Sequence, residues 1–240
     1  MDTTVAQQLI DLNHQFYQTF AEEFSETRQR LQPGVIKILD QLSPNIRILD
    51  LGCGNGELAQ ELSNREFRCS YVGADFSAEL IETARKKVSD SFSATFYQMD
   101  LTASDWNEHL PLVQFDTVFA FATLHHIPSH RLRLELLKNI RLRIQAGGHF
   151  HLSNWQFLTS PRLKRRIQPW EEVGLSEKEV DEGDYLIDWR RGGYGLRYVH
   201  HFSPRELRNL AAKTGFEVTD EFKSDGKEGD LGLYQTWQLA

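Results

Sequence analysis

The chain has 240 residues, 27 basic and 34 acidic side chains, a formal charge of −7 and 40% hydrophobic residues. It is too apolar and too mixed in charge to be disordered, and long enough to bury a core without disulfides or a structural metal. The two cysteines, Cys53 and Cys69, form no CxxC pair, which points to a reducing, cytoplasmic setting. No apolar run approaches the about eighteen residues of a membrane span, and the polar, acidic start does not read as a signal peptide.

Leu9, Leu12, Phe16, Phe20 and Phe24 recur at spacings of three and four and predict an amphipathic helix. Val35, Ile36, Ile38, Leu39 and Leu42 predict a second, shorter helix before Ser43-Pro44. From Ile46 the pattern changes to short apolar runs between helical stretches, with strands at 46–51, 69–74, 94–98, 115–121 and 148–154. Helices are expected near 56–64, 77–88, 104–109 and 130–144. This is an α/β, Rossmann-like, doubly wound and mostly parallel sheet. Residues 156–202 lose the alternation and read as an α-rich cap or lid. Ser203-Pro204 then caps a helix to Lys213, and Phe216–Phe222 with Leu231–Leu239 form a terminal antiparallel hairpin. The expected organisation is one domain: N-terminal helices over 1–45, a core over 46–155, the cap, and the last helix with its hairpin over 203–240.

Charge is unevenly spread along this chain. Residues 131–208 hold 15 basic and 10 acidic side chains, and the remainder hold 12 and 24. Twelve of the 15 cations are Arg, whose planar guanidinium binds carboxylate or phosphate bidentately. Solvated helix faces account for Arg131, Arg133, Arg141 and Arg143 equally well. The denser Arg162, Lys164, Arg165, Arg166 group suits an anionic substrate.

Ile48-Leu49-Asp50-Leu51-Gly52-Cys53-Gly54-Asn55-Gly56 is a strand running through a GxGxG turn into a helix. Glycines there permit a sharp turn and close approach to a ligand, beside the unpaired N–H groups of a helix start. Asp75 closes the next strand, where a carboxylate accepts from ribose hydroxyls; its alternative role is a helix cap, which Ser77 supplies equally well. Asp100 closes the third strand, where an acid accepts from an adenine amino group. A nicotinamide enzyme would need GxGxxG spacing, which is absent.

These residues resemble the class I S-adenosylmethionine-dependent methyltransferases over about residues 46–155. Phe115-Asp116-Thr117-Val118 and Gly147-Gly148-His149-Phe150 match that family's fourth and fifth strands. The resemblance implies S-adenosyl-L-methionine as cofactor, held by Asp50, Gly52, Cys53, Gly54, Gly56, Asp75, Phe76, Asp100, Leu101 and Ala122. A narrower likeness lies in Tyr17, Phe24-Ser25-Glu26-Thr27-Arg28, Leu124-His125-His126-Ile127 and Arg197-Tyr198-Val199-His200-His201-Phe202. It is similar to the eukaryotic tRNA methyltransferases that esterify carboxymethyl uridine at the wobble position. Two segments depart from that pattern: Gln32-Pro33 replaces a Trp-Pro, and Val199-His200-His201 alters the Arg-Tyr segment. The likeness implies a tRNA partner and a small zinc-binding activator subunit. It also implies Tyr17 and Arg28 at the cofactor, with Arg28 on its methionine carboxylate.

A carboxylate acceptor is already ionised at neutral pH and needs only alignment and a cation, a role for Arg197. An oxygen or nitrogen that must lose a proton needs a base, a role for His125 or His126, whose other reading is packing before Pro128. Trp155, Trp189, Tyr198 and His200 are the expected substrate contacts; the remaining aromatics of the cap serve as its core. His125, His126 and His130 match no zinc spacing, so no metal is expected. Two alternatives stand beside tRNA methylation: O- or N-methylation of a small anionic molecule, which the −7 charge favours, and a non-catalytic cofactor-binding activator subunit.

Overall fold

The computed structural model describes residues 1–27 and 30–240, so Arg28, expected at the cofactor, lies outside the described residues. Three helices precede the first strand where the sequence predicts two: α1 (Thr3–Thr19), α2 (Ala21–Thr27) and α3 (Pro33–Leu39). The apolar row runs on past the break at Phe20, whose N–H still bonds to the Phe16 carbonyl, so spacing alone hides the turn.

Five parallel strands follow: β1 (Ile46–Leu51), β2 (Cys69–Asp75), β3 (Ala94–Gln98), β4 (Phe115–Phe121) and β5 (Ile144–Trp155). They alternate with α4 (Glu57–Asn64), α5 (Ala78–Lys87) and α6 (His130–Arg143). Between β3 and β4 the predicted helix is one 3-10 turn, Trp106–His109, pinned by the buried Trp106 ring. The chain continues through α7 (Pro161–Lys164), β6 (Ile167–Gln168), β7 (Asp184–Trp189) and β8 (Gly195–His200). It ends with α8 (Pro204–Lys213), β9 (Phe216–Ser224) and β10 (Gly232–Leu239). The main sheet has the order β3-β2-β1-β4-β5-β10-β9, with β10 antiparallel to both β5 and β9.

Strand β1 pairs with β2 on one side and β4 on the other. Its crossovers leave in opposite directions, which opens a crevice beyond the strands' carboxyl ends. The sheet is buried on both faces because its strands alternate between two apolar clusters. Leu49, Leu51, Val118, Phe150 and Leu152 pack with Leu137 and Ile140 of α6 and Leu207 and Leu210 of α8. On the other side Ile48, Tyr71 and Phe119 pack with α3, α4 and α5. Each fully buried leucine contributes about 1.5–3 kcal/mol of transfer free energy, which is what holds the strand ends in register around the crevice. α8 begins as expected, with Pro204 in its first turn and the Ser203 side chain accepting from Glu206 N–H.

The expected α-rich cap is instead built on an antiparallel sheet, β6-β7-β8, with only the one-turn helix α7 and short 3-10 turns around it. Buried Asp184, Asp188, Arg197 and His200 interrupt the apolar alternation of β7 and β8, so the period-two signal is lost in the sequence. α1 packs along this sheet: Leu9 meets Leu186 and Tyr198, while Phe16, Tyr17 and Phe20 surround Trp189. No helix among the described residues is long and apolar enough to cross a membrane.

Candidate functional site

A cleft of about 650 Å³ lies at the crevice, walled by the carboxyl ends of β1–β5, by α1 and by the cap sheet. The β1–α4 turn forms its floor. Gly52 has φ +74, and a Cβ there would strike the Thr123 side chain, which donates its hydroxyl to the Leu51 carbonyl at 3.0 Å. Gly54 lines the cleft, with no protein atom within 4 Å of where a Cβ would sit. Gly56 does not line it: at φ +79 it lets α4 approach Ala84 of α5, whose Cα would lie 2.8 Å from a Cβ. Its role is helix packing rather than ligand contact.

Asp75, at the end of β2, accepts from Gly54 N–H at 2.9 Å and from Ser77 N–H at 3.0 Å. Ser77 caps α5 by accepting from Leu80 N–H, which leaves Asp75 oriented toward the turn. Burial pushes the Asp75 carboxyl up against the pull of these N–H donors. Asp50 accepts from the Tyr71 hydroxyl at 2.5 Å; burial first, opposed by that bond, and then the neighbouring Asp75 push it up to about 7. Among the described residues neither acid is ion-paired. Asp100 is partly exposed and accepts from the Thr102 N–H and hydroxyl, with His14 Nε2 at 3.7 Å. Phe76, Met99 and Leu101 add an apolar wall. Two buried acids with no basic partner, open glycine backbone and an apolar slot fit a positively charged adenosyl ligand.

The opposite wall is different. Ala122, at the end of β4, holds φ +52 and donates to the Ser153 carbonyl and hydroxyl, both at 3.0 Å. The turn Leu124–His126 follows. The His126 Nδ1 faces the Tyr198 carbonyl at 3.2 Å, and its Nε2 meets the Tyr17 hydroxyl at 2.8 Å. A carbonyl only accepts, so Nδ1 carries the proton and Nε2 accepts from Tyr17. His125 Nδ1 lies 3.4 Å from Trp155 N–H, which places the proton of its neutral form on Nε2. Both rings line the cleft.

Arg197 is 5% exposed and sits against aromatic faces, 5.1 Å from Trp155, 5.2 Å from Phe16 and 5.9 Å from Trp189. Its Nε has no hydrogen-bond partner among the described residues, and it lines the cleft with Arg162, Arg166, Arg190 and Arg191. Trp155 and Trp189 line it too. Of the predicted basic stretch, Lys164 and Arg165 stay outside the wall.

Tyr198 and His200 do not reach the cleft. Arg197 and Val199 occupy one face of β8, so Tyr198 and His200 point to the other. Tyr198 is fully buried and donates to Asp184 at 2.7 Å. His200 bridges Asp184 at 2.6 Å and Glu206 at 2.9 Å. Burial lowers its pKa, but the two carboxylates win and raise it. His200 ties the cap sheet to α8, while Tyr198 accepts from Arg133 and ties it to α6.

Asn13, His14 and Asn154 are among the cleft residues that escape the sequence reading. Asn13 donates to the carbonyls of His126 and Tyr198 and accepts from Tyr198 N–H, joining α1 to the turn after β4 and to β8. His14 stacks on Phe76 at 4.5 Å. Asn154 lines the cleft near the end of β5. The only available signal for Asn13 and Asn154 is an amide amid apolar residues. Among the described residues no group of three His, Cys, Asp or Glu side chains is arranged to hold a metal.

Residues 23–221 match the family described as a methyltransferase domain. A methyltransferase-named protein of Encephalitozoon cuniculi is 31% identical over 211 residues, covering 86% of this chain and 88% of its own. The tRNA (carboxymethyluridine(34)-5-O)-methyltransferase of Arabidopsis thaliana is 27% identical over 142 residues, 59% of this chain and 32% of its own. The chain spans 38% and 42% of the bovine and human proteins named tRNA methyltransferase 9B. In fold it is similar to a SAM-dependent methyltransferase from Methanosarcina mazei, with TM-score 0.65 and 22% identity over 88% of this chain and 98% of that one. With its floor of buried acids and glycine backbone, the chain belongs to the methyltransferase domain family and is an S-adenosylmethionine-dependent methyltransferase.

Proposed function

We propose that the methyl acceptor is an anionic oxygen, the carboxylate of a carboxymethyl uridine in tRNA. The observation that carries this reading is Arg197, a buried guanidinium with aromatic neighbours, an unpartnered Nε and no ion pair among the described residues. Burying an unpaired charge is costly, and a carboxylate entering the cleft restores the balance. The relatives named for carboxymethyluridine and tRNA methylation support the same acceptor.

When bound, the cofactor supplies a methyl group on a positively charged sulfur. Asp75 would accept from its ribose hydroxyls, Gly54 would let the backbone approach it, and Asp50 would balance its positive charge. Arg197 orients the acceptor carboxylate, with Trp155 and Trp189 beside it. Alignment at about 3–3.5 Å is the main demand of such a displacement. No base is required, and the tautomers agree: the Nε2 of His126 is engaged by Tyr17, and that of His125 carries a proton. His125 thus serves as a donor. The arginines of the cleft mouth suit RNA phosphates, and the free Cys53 and Cys69 suit the reducing cytoplasm.

A small anionic metabolite is the second reading, favoured by the −7 charge. Salt separates them: RNA affinity should fall about tenfold or more between about 50 and 200 mM salt, while a small acid should be nearly indifferent. The direct test is methyl transfer from labelled cofactor to an anticodon stem-loop carrying carboxymethyl uridine. A base-labile methyl ester is expected. No ester on that RNA, with or without an added activator subunit, would reject the tRNA reading.

A further inference from the structure

Among the described residues, five have a buried side-chain polar atom with no partner: Trp106, Arg133, Asn154, Asp188 and Arg197. Only Asn154 and Arg197 of these line the cleft. Arg197 is the carboxylate anchor proposed above. Asn154 is a separate matter, because both Nδ2 and Oδ1 are unpartnered in a residue only 1% exposed. By strand alternation it continues the face of Phe150 and Leu152 on β5, both of them 0% exposed. A leucine would extend that apolar row with the same branched shape, whereas the amide forgoes hydrogen bonds at both ends. Such an amide in a cleft wall suits a ligand that offers the complementary acceptor and donor.

We propose that Asn154 reads the imide edge of the acceptor base. An amide offers an N–H donor beside a carbonyl acceptor, and it pairs bidentately with a ring that presents the reverse. A uracil-type ring does so at N3–H and O4. C4, which carries O4, neighbours C5, the carbon that bears the carboxymethyl group, so the edge and the acid lie on the same side of the ring. One wall of the cleft then meets both, Asn154 the edge and Arg197 the acid, next to Trp155 on the same strand. Asn154 is in this way a specificity residue for the base, distinct from the anchor for the charge. The inference rests on the carboxymethyl uridine reading.

The test compares two stem-loops, one with 5-carboxymethyl uridine and one with the same base methylated at N3, which blocks the edge and leaves the acid. Wild type should prefer the first by about 10- to 100-fold in kcat/KM. Asn154→Ala should bring that ratio near one while binding S-adenosylhomocysteine as before. Asn154→Leu restores the apolar row; it should melt no lower than wild type and lose the same preference. An unchanged ratio in both variants would overturn the role, as would a loss of S-adenosylhomocysteine affinity with the ratio kept, which would move Asn154 to the cofactor side. If wild type methylates neither RNA, the carboxymethyl uridine reading itself fails, and this inference falls with it.

Discussion

The two halves of the cleft differ in how completely the protein satisfies them. On the β1–β3 side the polar groups have protein partners: Asp75 holds two backbone N–H groups, Asp50 a tyrosine hydroxyl and Asp100 a threonine. On the β4–β5 and cap side, Asn154 and Arg197 have unmade hydrogen bonds. A preformed half suits a ligand shared by a whole family, and an unsatisfied half suits one acceptor, where unpaired groups penalise the wrong molecule.

The sharpest way to break this contrast is Arg197→Ala. Steady-state kinetics should show kcat/KM falling by about 100- to 1,000-fold, the scale of losing one aimed donor, with S-adenosylhomocysteine affinity unchanged. Equal damage to both would erase the division between the halves. Asp75→Ala should do the converse, weakening S-adenosylhomocysteine by about 10- to 100-fold in a calorimetric titration, as befits a lost charge-assisted acceptor. Tyr17→Phe removes one hydrogen bond to His126 and should cost about tenfold or less in kcat; a larger loss that tracks pH would restore His126 as a base.

The smallest effect concerns stability. His200 has a raised pKa in the fold, so its contribution is complete below its unfolded value of about 6.5 and is lost as pH rises through the folded one. Glu206, whose pKa is lowered chiefly by His200 against the opposing effect of burial, loses its share as pH falls through its folded value. Wild type should therefore lose melting temperature above neutral pH, and His200→Gln should flatten that slope. Parallel slopes would show that His200 does not couple the cap to α8.

The β1–β5 core is legible in the sequence because short, largely apolar runs alternate with helical stretches, and its acids because Asp50, Asp75 and Asp100 stand at or just past the ends of the first three strands. The Gly52–Gly54 turn is legible as well, since its glycines stand where a side chain would collide or a ligand must approach. The cap sheet is not, because its buried Asp184, Asp188, Arg197 and His200 satisfy one another or await a ligand, and so break the alternation that marks a strand. Tyr198 and His200 were expected at the substrate since strand phase is invisible without the partner strand; a one-residue change of phase exchanges cleft for core. Asn13 and Asn154 look like defects in apolar rows until their surroundings are known.

The account rests on a cleft built for a charged acceptor, and binding to the S-adenosylhomocysteine complex tests that most directly. Two stem-loops suffice, one carrying carboxymethyl uridine and one its neutral carbamoylmethyl isostere. Preference for the acid, abolished by Arg197→Ala, is the predicted result. Equal affinity for acid and amide in the wild-type protein would contradict it.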